Sequence, residues 1–145
     1  MADDTDIRPV VELAMVADAV QVAQGKLFVL GGGWNTLMVR DFPAKHPVMA
    51  VAVLVTVPWS WADRPITIEL DLEDGDGHRL FPSPIRQRLT VAKPAGMPQG
   101  SDIVVPRSFT ISNLVFRQAG GYSFIVSVDG QVAERIRFRV LQRPS

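Results

Sequence analysis

The segment from Ile66 to Glu73 constrains the fold most, because apolar and polar residues alternate in it without a break. Isoleucine or leucine stands at every second position, and threonine, glutamate or aspartate stands between them. A period of two is typical of a β-strand with one face in a core and the other in water. The Asp-Gly-Asp-Gly sequence at positions 74–77 follows directly and favours a tight hairpin turn. We therefore expect an antiparallel hairpin whose return strand runs from His78 to Phe81.

Similar alternation recurs along the chain between turn residues. It is clearest in Phe109–Ser112, Tyr122–Val128 and Arg135–Val140, and the Asp-Gly pair at 129–130 marks a second hairpin. Eleven glycines and eleven prolines divide the chain, and about eight short strands predict an all-β antiparallel β-sandwich, with a closed barrel as the alternative. The helical spacing of small apolar residues in 17–23 adds at most one short helix.

Length and composition define the class of protein. A chain of 145 residues fits a single domain, residues 1–145, in which we expect residues 1–8 to be flexible. Fifteen basic and fifteen acidic residues give no general attraction to nucleic acid or to an anionic membrane. The absence of cysteine excludes disulfides, thiol nucleophiles and sulfur-based zinc sites. An acidic amino terminus without an apolar run after it leads us to expect a cytoplasmic protein.

The carboxy-terminal third resembles the end of an immunoglobulin or fibronectin type III sandwich. Leu114 precedes Gly-Gly-Tyr at 120–122, and Phe124, Val126 and Val128 continue the inward face before the final hairpin. The resemblance implies an immunoglobulin-like sandwich in which the Tyr122 hydroxyl bonds back to the backbone at this corner. The lack of cysteine excludes an antibody-type domain.

The amino-terminal part is similar to a family of small bacterial proteins of unknown function. The motifs that carry the similarity are Ala17-Asp18-Ala19, Gly25-Lys26-Leu27, Leu30-Gly31-Gly32-Gly33-Trp34, residues 43–47, Asp74-Gly75 and Gly121-Tyr122-Ser123-Phe124. Together they cover most of the chain. The resemblance implies a stand-alone bacterial sandwich, and it brings no catalytic residues with it.

A candidate interface follows from the segment Val48–Val57, which is apolar on both faces. Such a strand is either central in the fold or covered by a partner. The Trp-Ser-Trp sequence at 59–61 comes next, and tryptophan often anchors an interface or stacks on a sugar ring. We predict a self-association or partner surface made by Val48, Leu54, Trp59 and Trp61. The alternative is that both tryptophans fold over the core.

Two charged clusters give weaker candidate sites. Four carboxylates within six positions offer the oxygen ligands that calcium prefers, although their spacing is not that of an EF-hand loop. The alternative is a solvated hairpin. Three arginines on one strand face can contact anions, or they can blunt a sheet edge and pair with neighbours such as Glu134. The residues of these two clusters are Asp71, Glu73, Asp74 and Asp76 for the metal, and Arg135, Arg137 and Arg139 for the anion.

The sequence contains no recognisable catalytic motif. His46, which we place in a loop at 43–47, and His78 lie outside any nucleophile motif, and the glycines at 31–33 lack the lysine that a phosphate-binding loop places after them. We therefore expect no enzyme and no cofactor. The leading expectation is a non-catalytic interaction or self-assembly module whose partner is itself or another protein, with no nucleic-acid or membrane partner. The alternatives are a carbohydrate- or calcium-binding sandwich and a phage-type structural subunit.

Overall fold

The computed structural model describes residues 7–145, and in this range the protein is built from β-strands. The elements are β1 (Val10–Ala23), β2 (Lys26–Gly32), β3 (Thr36–Val39), β4 (Ala44–Val57), a 3₁₀ turn (Trp59–Trp61), β5 (Pro65–Asp74), β6 (Ile85–Thr90), β7 (Ile103–Phe116), β8 (Gly120–Val128) and β9 (Gln131–Gln142). The expected all-β class is confirmed. The short helix expected at 17–23 is wrong, because these residues pair with β2 and that ladder supplies their backbone hydrogen bonds.

The strands form two sheets that pack against each other. One has four antiparallel strands in the order β2-β1-β4-β7, and the other has five strands in the order β3-β9-β8-β5-β6. The second sheet is mixed, because β3 runs parallel to β9. β3 and β9 are far apart in the chain, so no tight hairpin forces this pair of neighbours to be antiparallel.

The core lies between the two sheets. β4 turns its larger residues inward, and they meet the inward isoleucines and leucines of β5. Aromatic rings fill one end, with ring centroids 5.0 Å apart for Phe116 and Tyr122 and 5.4 Å apart for Phe124 and Phe138. The inward residues of β4 and β5 are Met49, Val51, Val53, Val55, Val57, Ile66, Ile68, Leu70 and Leu72.

The β5 hairpin is present, but its return strand is interrupted. The Asp74 carboxylate accepts hydrogen bonds from the backbone N–H groups of Asp76 and His78, each at 2.9 Å, and these close the turn. Leu80 N–H then donates to the Leu72 carbonyl at 2.9 Å. Residues 81–84 leave the sheet before β6 begins. The expected return strand at 78–81 is therefore limited to a bridge beside the turn.

Two further sequence expectations concern local structure. Tyr122 donates a hydrogen bond from its hydroxyl to the Gln118 carbonyl at 2.6 Å, the bond that the immunoglobulin-like resemblance implied. His46 lies within β4, half-buried and opposite Leu114, so the loop expected around it is wrong. Ladder pairing with β7 holds this stretch extended even though it contains Pro47.

The segment expected to be flexible, residues 1–8, lies only partly within the described residues. Residues 1–6, most of the segment expected to be flexible, lie outside the described residues. Of the rest, Ile7 is held by its carbonyl, which accepts a hydrogen bond from Trp61 Nε1 at 2.8 Å. In the part of the chain from residue 7 onward, no helix has the length and apolar character to cross a membrane.

Candidate functional site

The outer face of the four-stranded sheet, which points away from the core, has an unusual composition. Alternation along β1, β4 and β7 sends one set of residues to this face, and the strand registers align them in rows. The rows are Val10–Thr56–Val104, Leu13–Leu54–Pro106, Met15–Ala52–Ser108, Ala17–Ala50–Thr110 and Val48–Ser112. These rows contain no charged side chain. An antiparallel sheet that faces water ordinarily carries polar residues there.

Part of this face is covered by the chain itself. Beyond Ala17, β1 pairs only with β2, and the two form a ribbon of residues 18–32. Cα atoms of β2 approach within 8 Å of β7, although β1 and β4 separate them in the sheet, so the ribbon curls toward β7. A Cβ at Gly32 would lie 2.6 Å from a Val29 methyl carbon and 2.9 Å from the Met15 sulfur. The outer-face alanines of β1 and β4 are accordingly buried.

The remaining part of the face is open. Val10 and Val104 are 52% and 56% exposed at one end, and Val48 is 47% exposed at the other. The ribbon adds apolar surface of its own, since Leu30 is 72% exposed. Glu12, at the bulge where the register of β1 shifts, is the charged residue beside the rows. Exposed contiguous apolar surface of this kind marks interaction sites.

The structure brings together only part of the predicted interface. Val48 and Leu54 do lie on the same face of β4, but they are six residues apart, or about 20 Å along a strand. Leu54 is half-buried next to Leu13, a neighbour that the sequence did not single out. Val10 and Val104 were also missed, because only the register across three strands aligns them.

The two tryptophans are less available than predicted. Trp61 packs against the core, its ring nitrogen bonds to the Ile7 carbonyl, and the Arg64 guanidinium lies 4.0 Å above its ring. Trp59 is half-buried, with the Lys93 ammonium 5.0 Å from its ring centroid. Each ring already has a cation over it. Neither offers a bare platform for a sugar.

The four predicted metal-binding carboxylates serve different purposes. Asp71 is 8% exposed, pairs with Arg79 and accepts the Leu72 N–H at 2.9 Å. Glu73 pairs with Arg135 at 2.9 Å. Two of the four carboxylates are therefore committed to arginines on the outer face of the five-stranded sheet.

The other two carboxylates lie at the hairpin turn. Ligand atoms of Asp74, Asp76 and His78 come within 4.8 Å of one another. The backbone N–H of His78 contributes most to holding the pKa of Asp74 below its ordinary value of 3.8. Burial opposes it, and the backbone N–H of Asp76 and the His78 ring lower the pKa further. The Asp74 carboxylate is thus engaged in closing the turn, and the calcium hypothesis stays a prediction.

The three arginines project from the outer face of β9 as predicted, but two have partners. Arg135 reaches Glu73, and Glu134 instead accepts a bond from the Arg135 backbone N–H at 3.1 Å. The Nε of Arg139 donates to the Thr36 hydroxyl at 3.0 Å. Within residues 7–145, Arg137 alone of the three has no side-chain partner. Anion binding by the set stays a prediction.

Comparison with known proteins places the chain in a family. A protein family described as a family of unknown function, DUF6941, matches residues 12–141. The chain belongs to the DUF6941 family. This match confirms the prediction of a family of unknown function, and the DUF6941 region runs from the bulge in β1 to the end of β9.

Other comparisons add no function to this DUF6941 protein. No curated protein matches the chain. Among solved structures, it is similar to the alkylpurine DNA glycosylase of Pseudomonas fluorescens bound to DNA containing an abasic site analog, with a TM-score of 0.38 and 10% sequence identity over 88% of this chain. The chain spans 30% of the length of that glycosylase. A likeness at this level carries no argument about function.

Proposed function

We propose that this DUF6941 protein is a non-catalytic self-assembly module in which two copies associate through the outer face of the four-stranded sheet. The observation that carries the proposal is the absence of charge from the aligned rows of that face, together with the exposure of Val10, Leu13 and Val104. Burial of a whole valine or leucine side chain contributes about 1.5–3 kcal/mol. Several half-exposed residues together therefore favour association.

A second copy fits this face better than a charged partner does. In a two-fold dimer the same surface patch meets itself, so any charge in it is opposed by its own symmetry mate or must find an exact counterpart. The aligned rows avoid this penalty because they carry no charge. The arginine-bearing face of β9 does not avoid this penalty, because Arg137 and its symmetry mate would repel each other where two copies of that face met.

The test uses two valines of equal exposure on opposite sheets. Val104 is 56% exposed on the outer face of the four-stranded sheet, and Val132 is 55% exposed on β9. Sedimentation equilibrium should give a dimer or larger species for the wild type and for Val132→Asp, and a monomer for Val104→Asp. Circular dichroism checks that both variants fold. A monomeric wild type, or equal behaviour of the two variants, rejects self-assembly through this face.

The alternative functions have less support. Arginines occupy Asp71 and Glu73, and cations cover both tryptophan rings, so these four residues give little support to a calcium or carbohydrate site. A phage-type subunit remains an extension of the proposal, distinguished by open filaments or large particles instead of a closed dimer. Cytoplasmic location and the absence of catalysis stay predictions.

The finer fold assignment, an immunoglobulin-like sandwich, is also an inference. The Tyr122 bond to the Gln118 carbonyl supports it. A crystal structure compares the strand order with that of immunoglobulin domains directly, and an order that cannot be superposed on theirs rejects the assignment.

A further inference from the structure

A cleft of about 860 Å³ opens between the two sheets, where β7 faces the segment that joins the β5 hairpin to β6. Ile111, Leu114 and Tyr122, all core residues, form its floor. Phe81 and Ile85 line the opposite wall. The cleft opens at the side of the sandwich. It shares Thr110 and Ser112 with the ends of two outer rows, but it does not include Val10, Leu13 or Val104, whose exposure carries the proposed function.

The cleft lies next to the contact between β6, an edge strand of one sheet, and β7, an edge strand of the other. Gln87 Nε2 donates a hydrogen bond to the Ser108 carbonyl at 2.7 Å, which holds the β6 and β7 edges together at this level. Residues 81–84 then leave the sheet. β7 pairs with β4 on its other side. From Thr110 toward the end of β7, the edge has no strand beside it in the described part of the chain.

The direction of the backbone groups on this edge follows from the Ser108 bond. The N–H and C=O of one residue in an antiparallel strand point to the same side, and every second residue shares that side. Since the Ser108 carbonyl faces β6, the N–H and C=O groups of Thr110 and Ser112 face the free edge. Pro106 agrees with this parity, because proline is tolerated where its nitrogen faces away from the ladder.

We propose that the cleft binds an extended peptide segment of another protein, which adds as a strand to the free edge of β7. The N–H and C=O groups of Thr110 and Ser112 pair with the peptide backbone. Apolar side chains of the peptide lie on Ile111 and Leu114, which both face the core although they are three positions apart, because Asn113 between them has a positive φ of 56°. A free sheet edge selects an extended backbone, and pockets along it select side chains at every second position.

The charge at one end of the cleft favours a peptide with an acidic residue. Arg117 lies there, exposed and without an ion-pair partner among residues 7–145. Asp74 is at the same end, but its carboxylate is engaged by the turn N–H groups and by His78. An acidic residue in the peptide therefore finds an uncompensated arginine.

The test begins with a phage-displayed library of random heptapeptides selected on the wild-type protein. The enriched peptide is synthesised with a fluorophore and its affinity is measured by fluorescence polarisation. Thr110→Pro removes the N–H at the free edge without removing a bond to β4, and Thr110→Ala keeps that N–H. We expect Thr110→Pro to weaken binding at least about tenfold, because a peptide acceptor loses its partner. Thr110→Ala should bind as the wild type does.

Arg117→Ala should weaken binding of an acidic peptide about threefold and leave its neutral amide analogue unaffected. The proposal is overturned if no peptide is enriched, or if Thr110→Pro binds the peptide as tightly as Thr110→Ala while circular dichroism shows both folded. Val104→Asp, which disrupts the proposed self-association, should still bind the peptide. Failure of either proposal is therefore visible without failure of the other.

Discussion

The outer faces of the two sheets differ in what stands beside their central strands. On the five-stranded sheet, β8 offers Ser123, Ile125 and Ser127, and the longer side chains of β5 and β9 meet across it, as Glu73 and Arg135 do at 2.9 Å. On the four-stranded sheet, β4 offers Ala50 and Ala52, but its neighbours are apolar or uncharged. Every ion pair among residues 7–145 lies on the five-stranded sheet or its hairpin.

The outer faces of the two sheets are completed in different ways. Paired charges complete the five-stranded face and keep their heads hydrated, so that face needs no partner. The four-stranded face uses the ribbon of residues 18–32 for part of its area and leaves Val10, Leu13 and Val104 open. A two-stranded ribbon is marginally stable alone, so packing against the sheet stabilises it.

The largest single effect expected on stability comes from breaking the ionic face. Asp71→Ala leaves Arg79 without its buried partner and leaves the Leu72 N–H without its acceptor. We expect the free energy of unfolding to fall by about 2 kcal/mol, measured by urea denaturation. Glu69→Ala is the matched control, because Glu69 pairs with the exposed Arg86 at 3.3 Å and its loss should cost less than about 1 kcal/mol. Equal losses would contradict this account of the ionic face.

A smaller effect should come from the ribbon. Gly32→Ala places a Cβ against the Val29 and Met15 side chains, and such overpacking costs about 1–2 kcal/mol. Gly121→Ala is the control, since its Cβ meets no atom within 4 Å. Hydrogen exchange of the β2 amides should also become faster in Gly32→Ala alone. Unchanged β2 exchange would show that the ribbon does not depend on packing at Gly32.

The smallest effect concerns the corner between β7 and β8, and it should leave both outer faces unchanged. Tyr122→Phe removes the bond to the Gln118 carbonyl and should cost about 1 kcal/mol by urea denaturation. Burial raises the pKa of Tyr122 above 10.0, so its contribution to stability is complete below pH 10 and is lost as the pH rises through the raised pKa. Tyr122→Phe should lack this alkaline loss. A variant that loses stability in parallel with the wild type above pH 10 would exclude Tyr122 as the cause.

Local patterns were sufficient to predict much of the fold. The alternation of β5 identified its inward residues and its hairpin. The two-sided apolar pattern of β4 predicted a strand that is central in the fold or covered by a partner, and β4 is central in its sheet. The segment at 17–23 was misassigned, because spacing at three and four positions over so few residues does not exclude a strand. Its pairing with β2, which decides the matter, depends on the turn at Gln24 and Gly25.

The candidate sites were predicted less well, because they depend on register. The bulge at Glu12 determines that Leu13 lies beside Leu54, and no local pattern locates that bulge. The arginines of β9 were expected to pair with neighbours such as Glu134, but it is Glu73 that reaches Arg135, from two strands away. The cleft along β7 arises from the break in the return strand at 81–84, which is visible only once β5 and β6 are paired.

The central claim is that the four-stranded faces of two copies meet, and distances between copies test it most directly. The chain has no cysteine, so Glu12→Cys and Arg137→Cys each accept a single spin label, one beside the uncharged rows and one on the opposite sheet. Double electron–electron resonance should show a clear coupling between copies for the label at 12 and a longer distance or none for the label at 137. Coupling at 137 without coupling at 12 would contradict the claim.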